Sequence, residues 1–237
     1  MPNPLDPLDL FSNSQLTALL IDFWLLWFVW WLYRSTLNGP FIYDDMQILS
    51  SGSMTGYLDP AGTPDHPLLI LGKHFYYHVV NAAVVLVMGR GYKNRQYAPS
   101  GEYLTALWHI RPITWLTYHL DALYGGLSPK RWHRSNIWIH ALSVVTAYHA
   151  GLHLLHPIGA LIAALVFAVH PLSTMAVSYI AGRSSALCSL FMLLSVLSAL
   201  SHQWLMLGLS AFLAFFSKEE AMILPVLLGG LWWLKLL

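Results

Sequence analysis

Residues 15–33 read QLTALLIDFWLLWFVWWLY. At 1.5 Å per residue this run is long enough to cross a hydrocarbon core of about 30 Å. Arg34 closes it, and Trp30, Trp31 and Tyr33 stand where an aromatic belt belongs. The preceding MPNPLDPLDLFSNS holds three prolines and neither Lys nor Arg, so it lacks the basic start of a secretory signal, and no small-residue cleavage site is present. The run is therefore expected to be a retained first span over 15–34. Asp22 lies within it, either as an intramembrane charge or as a carboxylate near one end or packed against another helix.

Composition agrees with this reading. Of 237 residues, 57% are apolar and only 10% charged, where a soluble domain carries about a quarter charged residues. Disordered, collagen-like and ordinary soluble classes are excluded, and membrane lipid becomes the expected surrounding. Twelve Lys and Arg balance 11 Asp and Glu, which leaves no basic excess for a nucleic acid. The single cysteine, Cys188, excludes an internal disulfide framework and a Cys-based zinc cage.

Beyond the basic cluster Lys130, Arg131 and Arg134 the chain is nearly continuously apolar, with spans expected at 135–154, 158–181, 184–201, 203–217 and 221–237. Short loops make neighbours antiparallel. The expected fold class is an all-α polytopic membrane helix bundle of about six spans. It forms one domain over 1–237: a first span, a long loop at 35–131 and a five-helix remainder at 132–237. No repeat of 20–50 residues is visible. Within the loop, 68–89 carries Lys73, His74, His78 and Asn81, and 103–124 is interrupted by Arg111-Pro112. Both pieces are expected at the membrane interface. The Lys- and Arg-free N-terminus favours an external start, but a loop as long as 35–131 is largely exempt from the positive-inside rule. Placing that loop outside puts Arg183 and Lys218-Glu219 on the same face, and this orientation is preferred.

Four polar clusters punctuate the apolar sequence. Asp44-Asp45, in FIYDDMQIL, offers a general base or a cation ligand, or simply a solvated turn. Arg111-Pro112-Ile113-Thr114 holds a guanidinium at headgroup level, suited to a phosphate or to snorkelling. In HPLSTMAVSYIAGRSSALC, His170-Pro171 breaks or kinks a helix, and Gly182-Arg183 ends it with a second anion handle or a topological anchor. Ser217-Lys218-Glu219-Glu220 separates two apolar runs. Among twelve histidines, His149, His153 and His156 share a helical face, as do His133 with His140 and His74 with His78. Such spacing can bind a metal or haem, but there is no HExxH and no Cys-x-x-Cys-His, and no metal ligand is assigned. No GxSxG points to a serine hydrolase.

Taken in order, YDD, RPIT, HRSNIWIH, HPLSTMAVSYIAGR and SKEEA with a following proline resemble the membrane module of the GT-C glycosyltransferases. The likeness is to the transmembrane and tetratricopeptide-repeat O-mannosyltransferases and their bacterial relatives, over about 41–230. The resemblance implies a lipid-phosphate-linked sugar as donor and transfer on the extracytoplasmic side. The expected location is a bacterial inner membrane, with the long loop on the periplasmic side. The resemblance also implies a catalytic aspartate at Asp44 or Asp45, and donor-phosphate contacts from Arg111 and Arg183. Supporting roles fall to His170, Lys218 and Glu219. Whether a divalent metal takes part is not legible in the residues.

The chain departs from the family at Met175 and Ser184, where acidic residues are common. With 237 residues it is also expected to be without the further helices and acceptor domain of family enzymes. These departures motivate an alternative, a shortened non-catalytic relative serving as an accessory subunit of a larger membrane complex. Its eleven tryptophans would then pack against partner helices or lipid.

Overall fold

The computed structural model describes residues 13–42, 44–45, 111–126 and 128–237. The expected interfacial helix at 68–89, with His74 and His78, lies outside them. The described chain is all-helical. Helix α1 spans Asn13–Tyr33, α2 Pro112–Gly125, α3 Pro129–Leu152, α4 Pro157–Val169, α5 Pro171–Ser178, α6 Arg183–Leu200, α7 Trp204–Phe215 and α8 Leu224–Trp233. Short 3-10 turns follow α1 (Arg34–Asn38), precede α6 (Ile180–Gly182) and precede α8 (Glu219–Ile223).

Helix α3 is the hub, packed against α1, α4, α5 and α6, while α6 also packs on α7. Its sequence explains why. Asn136, His140, Ser143 and Thr146 are buried along it beside Ile137, Ala141 and Val144, so this central helix meets protein on most sides. Polar side chains are tolerated there because neighbours or the helix backbone satisfy them. Ser143 and Thr146 donate to carbonyls one turn back, and His140 Nε2 lies 3.2 Å from the Ala168 carbonyl. Helix α4 approaches α3 through a stripe of Ala160, Ala164 and Ala168, all 0% exposed. A Cβ added at Gly151 would stand 3.1 Å from the Ala160 side chain, so the approach needs small residues.

The break at His170-Pro171 is as expected: α4 and α5 meet at 56°. Proline has no N–H and pushes the preceding residue into extended backbone, and His170 has φ −61° and ψ 134°. The carbonyls that lose their helical donors find others. Ser173 donates to the Phe167 carbonyl at 3.0 Å, and Tyr33 Oη from α1 donates to Ala168 at 3.0 Å. A kink inside an apolar layer is stable only when such replacements exist.

Helix α1 turns Leu25, Val29 and Tyr33, spaced by four, into the bundle. Phe23, Trp24, Trp27 and Trp31 remain exposed on its other faces. Asp22 is packed against another helix: its carboxylate pairs with His149 Nε2 of α3 at 2.9 Å. Apolar side chains also stand exposed along α4, α7 and α8, as in a membrane protein whose solvent is hydrocarbon. Among the described residues two helices can cross a bilayer by length and composition, Gln15–Asn38 and Ile180–Leu200, and the bent α4–α5 pair is a third if it counts as one span. Helix α3 has the length but not the apolar composition, and α7 is a shorter apolar helix. The expected count of six is therefore met for two or three spans on these criteria.

Candidate functional site

The polar clusters gather where α3 begins and α6 begins. After α1 the chain makes its 3-10 turn and passes over His133. A Cβ on Gly39 would lie 3.1 Å from the Thr36 carbonyl and 3.2 Å from His133 Nε2, so the strand of chain leading to the acidic doublet is pressed onto α3. His133 is buried, and neither ring nitrogen has a well-formed hydrogen bond among the described residues.

The two aspartates then part. Asp45 is 1% exposed. Its Oδ1 accepts the Ala181 N–H at 2.8 Å and its Oδ2 accepts the Ile42 N–H at 3.1 Å, so it closes its own turn and grips the 3-10 turn before α6. Asp44 presents its side chain to the outside, and its backbone N–H donates to Tyr179 Oη at 2.9 Å.

Arg183 begins α6 instead of ending a helix, and its side chain is 0% exposed. The guanidinium donates to Asn136 Oδ1 at 2.7 Å and to the Trp132 carbonyl at 2.8 Å, and pairs with Asp121 Oδ2 of α2 at 2.7 Å. It also lies over the Tyr118 ring at 4.6 Å. Desolvation raises the Tyr118 phenol above its ordinary value, with Arg183 opposing, and its hydroxyl donates to the Ile180 carbonyl at 2.9 Å. A buried cation needs this degree of satisfaction to be tolerated at all.

Arg111 is different. It precedes α2, is 27% exposed, and makes a forked pair with Glu219 at 2.6 and 3.1 Å. Its third contact is Ser184 Oγ at 3.3 Å. Partial burial alone would raise the Glu219 carboxyl, but the Arg111 hydrogen bonds, its own backbone N–H and the charges of Arg111 and Lys218 together outweigh it and hold it below the usual carboxylate range. The start of α2 is fixed to the same segment: the Ile113 N–H reaches the Phe216 carbonyl and Thr114 Oγ1 donates to the Ser217 carbonyl. Lys218 donates to Ser185 Oγ at 2.8 Å and pairs with Glu220.

Asp45, Arg183, Arg111, Lys218 and Glu219 thus converge on residues 181–185, although up to 174 positions separate Asp45 from Glu219 in sequence. His170 does a different job at the α4–α5 break: it is exposed, and its Nδ1 accepts the Leu172 N–H to cap α5. The other histidine sets are similarly dispersed, His149 to Asp22, His153 to Ser201 and His156 to the cap of α4. Sequence reading missed Asp121, Asn136 and Tyr179. Asp121 and Asn136 were detectable as polar residues in apolar runs; Tyr179 carried no signal.

Protein O-mannosyl-transferase Tmtc1 of Drosophila melanogaster is 30% identical over 212 residues, 84% of this chain and 21% of the relative. Protein O-mannosyl-transferase tmtc2 of Xenopus laevis is 42% identical over 174 residues, 72% of this chain and 17% of the relative. Protein O-mannosyl-transferase TMTC4 of Homo sapiens is 38% identical over 102 residues, 37% of this chain and 14% of the relative. The chain spans about a fifth or less of the length of these curated relatives. No family model and no solved structure matches it. The homologues of this chain are the TMTC protein O-mannosyl-transferases of the GT-C superfamily, the group that its five ordered motifs resemble.

Proposed function

We propose that the chain is a glycosyltransferase module that moves a sugar from a lipid-phosphate donor to an acceptor hydroxyl on the extracytoplasmic side of a membrane. The observation that carries this reading is the division of labour in the acidic doublet: Asp45 is spent on the fold, and Asp44 is left exposed beside it. Asp44 takes the proton of the acceptor hydroxyl as its oxygen attacks the anomeric carbon. The bond from that carbon to the donor phosphate breaks with inversion, and the phosphate leaves with the electron pair. Arg111, at the rim and forked toward Glu219, is the guanidinium we assign to that phosphate, with Lys218 beside it. Arg183 is assigned the support of the turn that Asp45 grips. The relatives' names make mannose the first sugar to try and a protein hydroxyl the first acceptor.

Helix α3 and the α7–α8 region are proposed to lie in the bilayer as well, completing six spans. The relatives are animal proteins, so the proposal commits to the extracytoplasmic face without choosing a bacterial inner membrane. A place in a larger complex is tested by co-purification.

The test is transfer from polyprenyl-phosphate mannose to a serine- and threonine-containing peptide by the reconstituted chain. Asp44→Asn is expected to lower the rate by about 10²–10⁴, the usual worth of general-base help. Asp45→Asn sets an amide N–H₂ against one of the two backbone N–H groups that the carboxylate accepts, and is expected to lower stability instead. Full turnover by Asp44→Asn removes this reading.

A further inference from the structure

We propose that Tyr179 is the positioning residue of the candidate base, its phenol oxygen fixing the peptide that carries Asp44 and so the direction of the exposed carboxylate; this rests on the glycosyl-transfer reading above. Residues 177–182 form a strap between α5 and α6. Asn136 Nδ2 reaches the carbonyls of Val177 at 3.4 Å and Tyr179 at 3.1 Å. Tyr118 Oη holds the Ile180 carbonyl at 2.9 Å, and the Gly182 N–H returns to the Tyr179 carbonyl at 3.0 Å. Asn136 is itself oriented by the buried Arg183 guanidinium. These bonds secure the strap through its backbone, and none of them uses the Tyr179 side chain.

What the side chain does is reach across to the acidic doublet. Two rungs join the strap to the loop. Asp45 Oδ1 accepts the Ala181 N–H at 2.8 Å, and Tyr179 Oη accepts the Asp44 N–H at 2.9 Å. The peptide on the C-terminal side of Asp44 is held by the Asp45 N–H, which donates to the Ile42 carbonyl at 2.9 Å. The Tyr179 rung holds the peptide on the N-terminal side, so with both in place the backbone flanking the Asp44 side chain is fixed. An exposed carboxylate on a loose peptide samples many orientations, and a general base works only from a narrow set of them. The phenol oxygen, having accepted one N–H, still carries a proton of its own to donate to the Asp44 carboxylate or to the acceptor.

Tyr179→Phe removes the hydroxyl, keeps the ring and leaves every strap bond in place. Two measurements on the full chain decide the matter. The first is the rate at which a carbodiimide labels Asp44, read by mass spectrometry at fixed pH, with exposed Glu220 as internal reference. It is expected to change severalfold relative to Glu220 in the Phe variant. The second is transfer kinetics, where kcat is expected to fall about tenfold, the worth of one hydrogen bond, with the donor KM unchanged. An unchanged Asp44 labelling rate overturns the proposal whatever the turnover does. Altered labelling in a protein whose parent transfers no sugar supports the positioning and removes the glycosyl-transfer reading. Should the Phe variant fail to fold, difluorotyrosine at 179 keeps the shape, weakens the oxygen as an acceptor and answers to the same two readouts.

Discussion

The polar end of the bundle has a dry interior and an open rim, and each holds an arginine. Arg183 in the interior is 0% exposed, bonded to Asn136 and the Trp132 carbonyl and paired with Asp121. Arg111 at the rim is 27% exposed and shares its guanidinium between Glu219 and Ser184. Both sit beside the start of α6, and both answer to the description of a basic residue at the membrane surface. The difference is in what surrounds them. A guanidinium enclosed by its partners organises the protein, whereas one whose partners are half in solvent can exchange them for a ligand. The aspartates repeat the contrast, Asp45 inside and Asp44 outside.

The largest effect should come from the interior. Arg183→Ala leaves the Asp121 carboxylate buried without its cation and frees Asn136, a loss of about 3–5 kcal/mol. Arg183→Lys should recover little, because an ammonium cannot reproduce the planar fork to three acceptors. Thermal unfolding in detergent followed by tryptophan fluorescence measures both, and a wild-type midpoint for the Ala variant would break the distinction drawn above. Next comes Gly182→Ala in the strap. The added Cβ would stand 2.7 Å from the Met175 carbonyl oxygen and 2.9 Å from Ala176 Cα, both backbone. The expected cost is about 1–3 kcal/mol in the same assay.

The smallest effect belongs to the rim. Glu219 is 29% exposed, so Glu219→Gln should cost about 0–1 kcal/mol. Its carboxyl titrates below the ordinary 4.5 when folded, so its contribution is full above that pH and is lost as pH falls through the lowered value. A stability-versus-pH profile should show less acid loss in the Gln variant, and identical profiles would place Glu219 outside the pair that defines the rim.

Much of this was legible one residue at a time. The apolar run of α1, the break at His170-Pro171 and the polar stops between helices are local features, because proline sterics and the helical repeat act within a turn or two. Resemblance to a motif order then pointed to the right relatives. The span count was less legible, because α3 is both the most enclosed helix and one of the most polar. Hydropathy picks out helices whose sides face lipid, and α3 faces protein. The Nδ1 of His170, for its part, caps α5.

By itself, then, the sequence determined an all-helical membrane protein and the positions of the polar residues that punctuate it. Composition and periodicity are properties of neighbouring residues, and they suffice for that. Which aspartate turns outward, which arginine is enclosed and which tyrosine meets the doublet were decided only by the tertiary structure. A polar group's role depends on the partners that reach it through space, and here those partners, from Ala181 for Asp45 to Glu219 for Arg111, lie more than a hundred positions away.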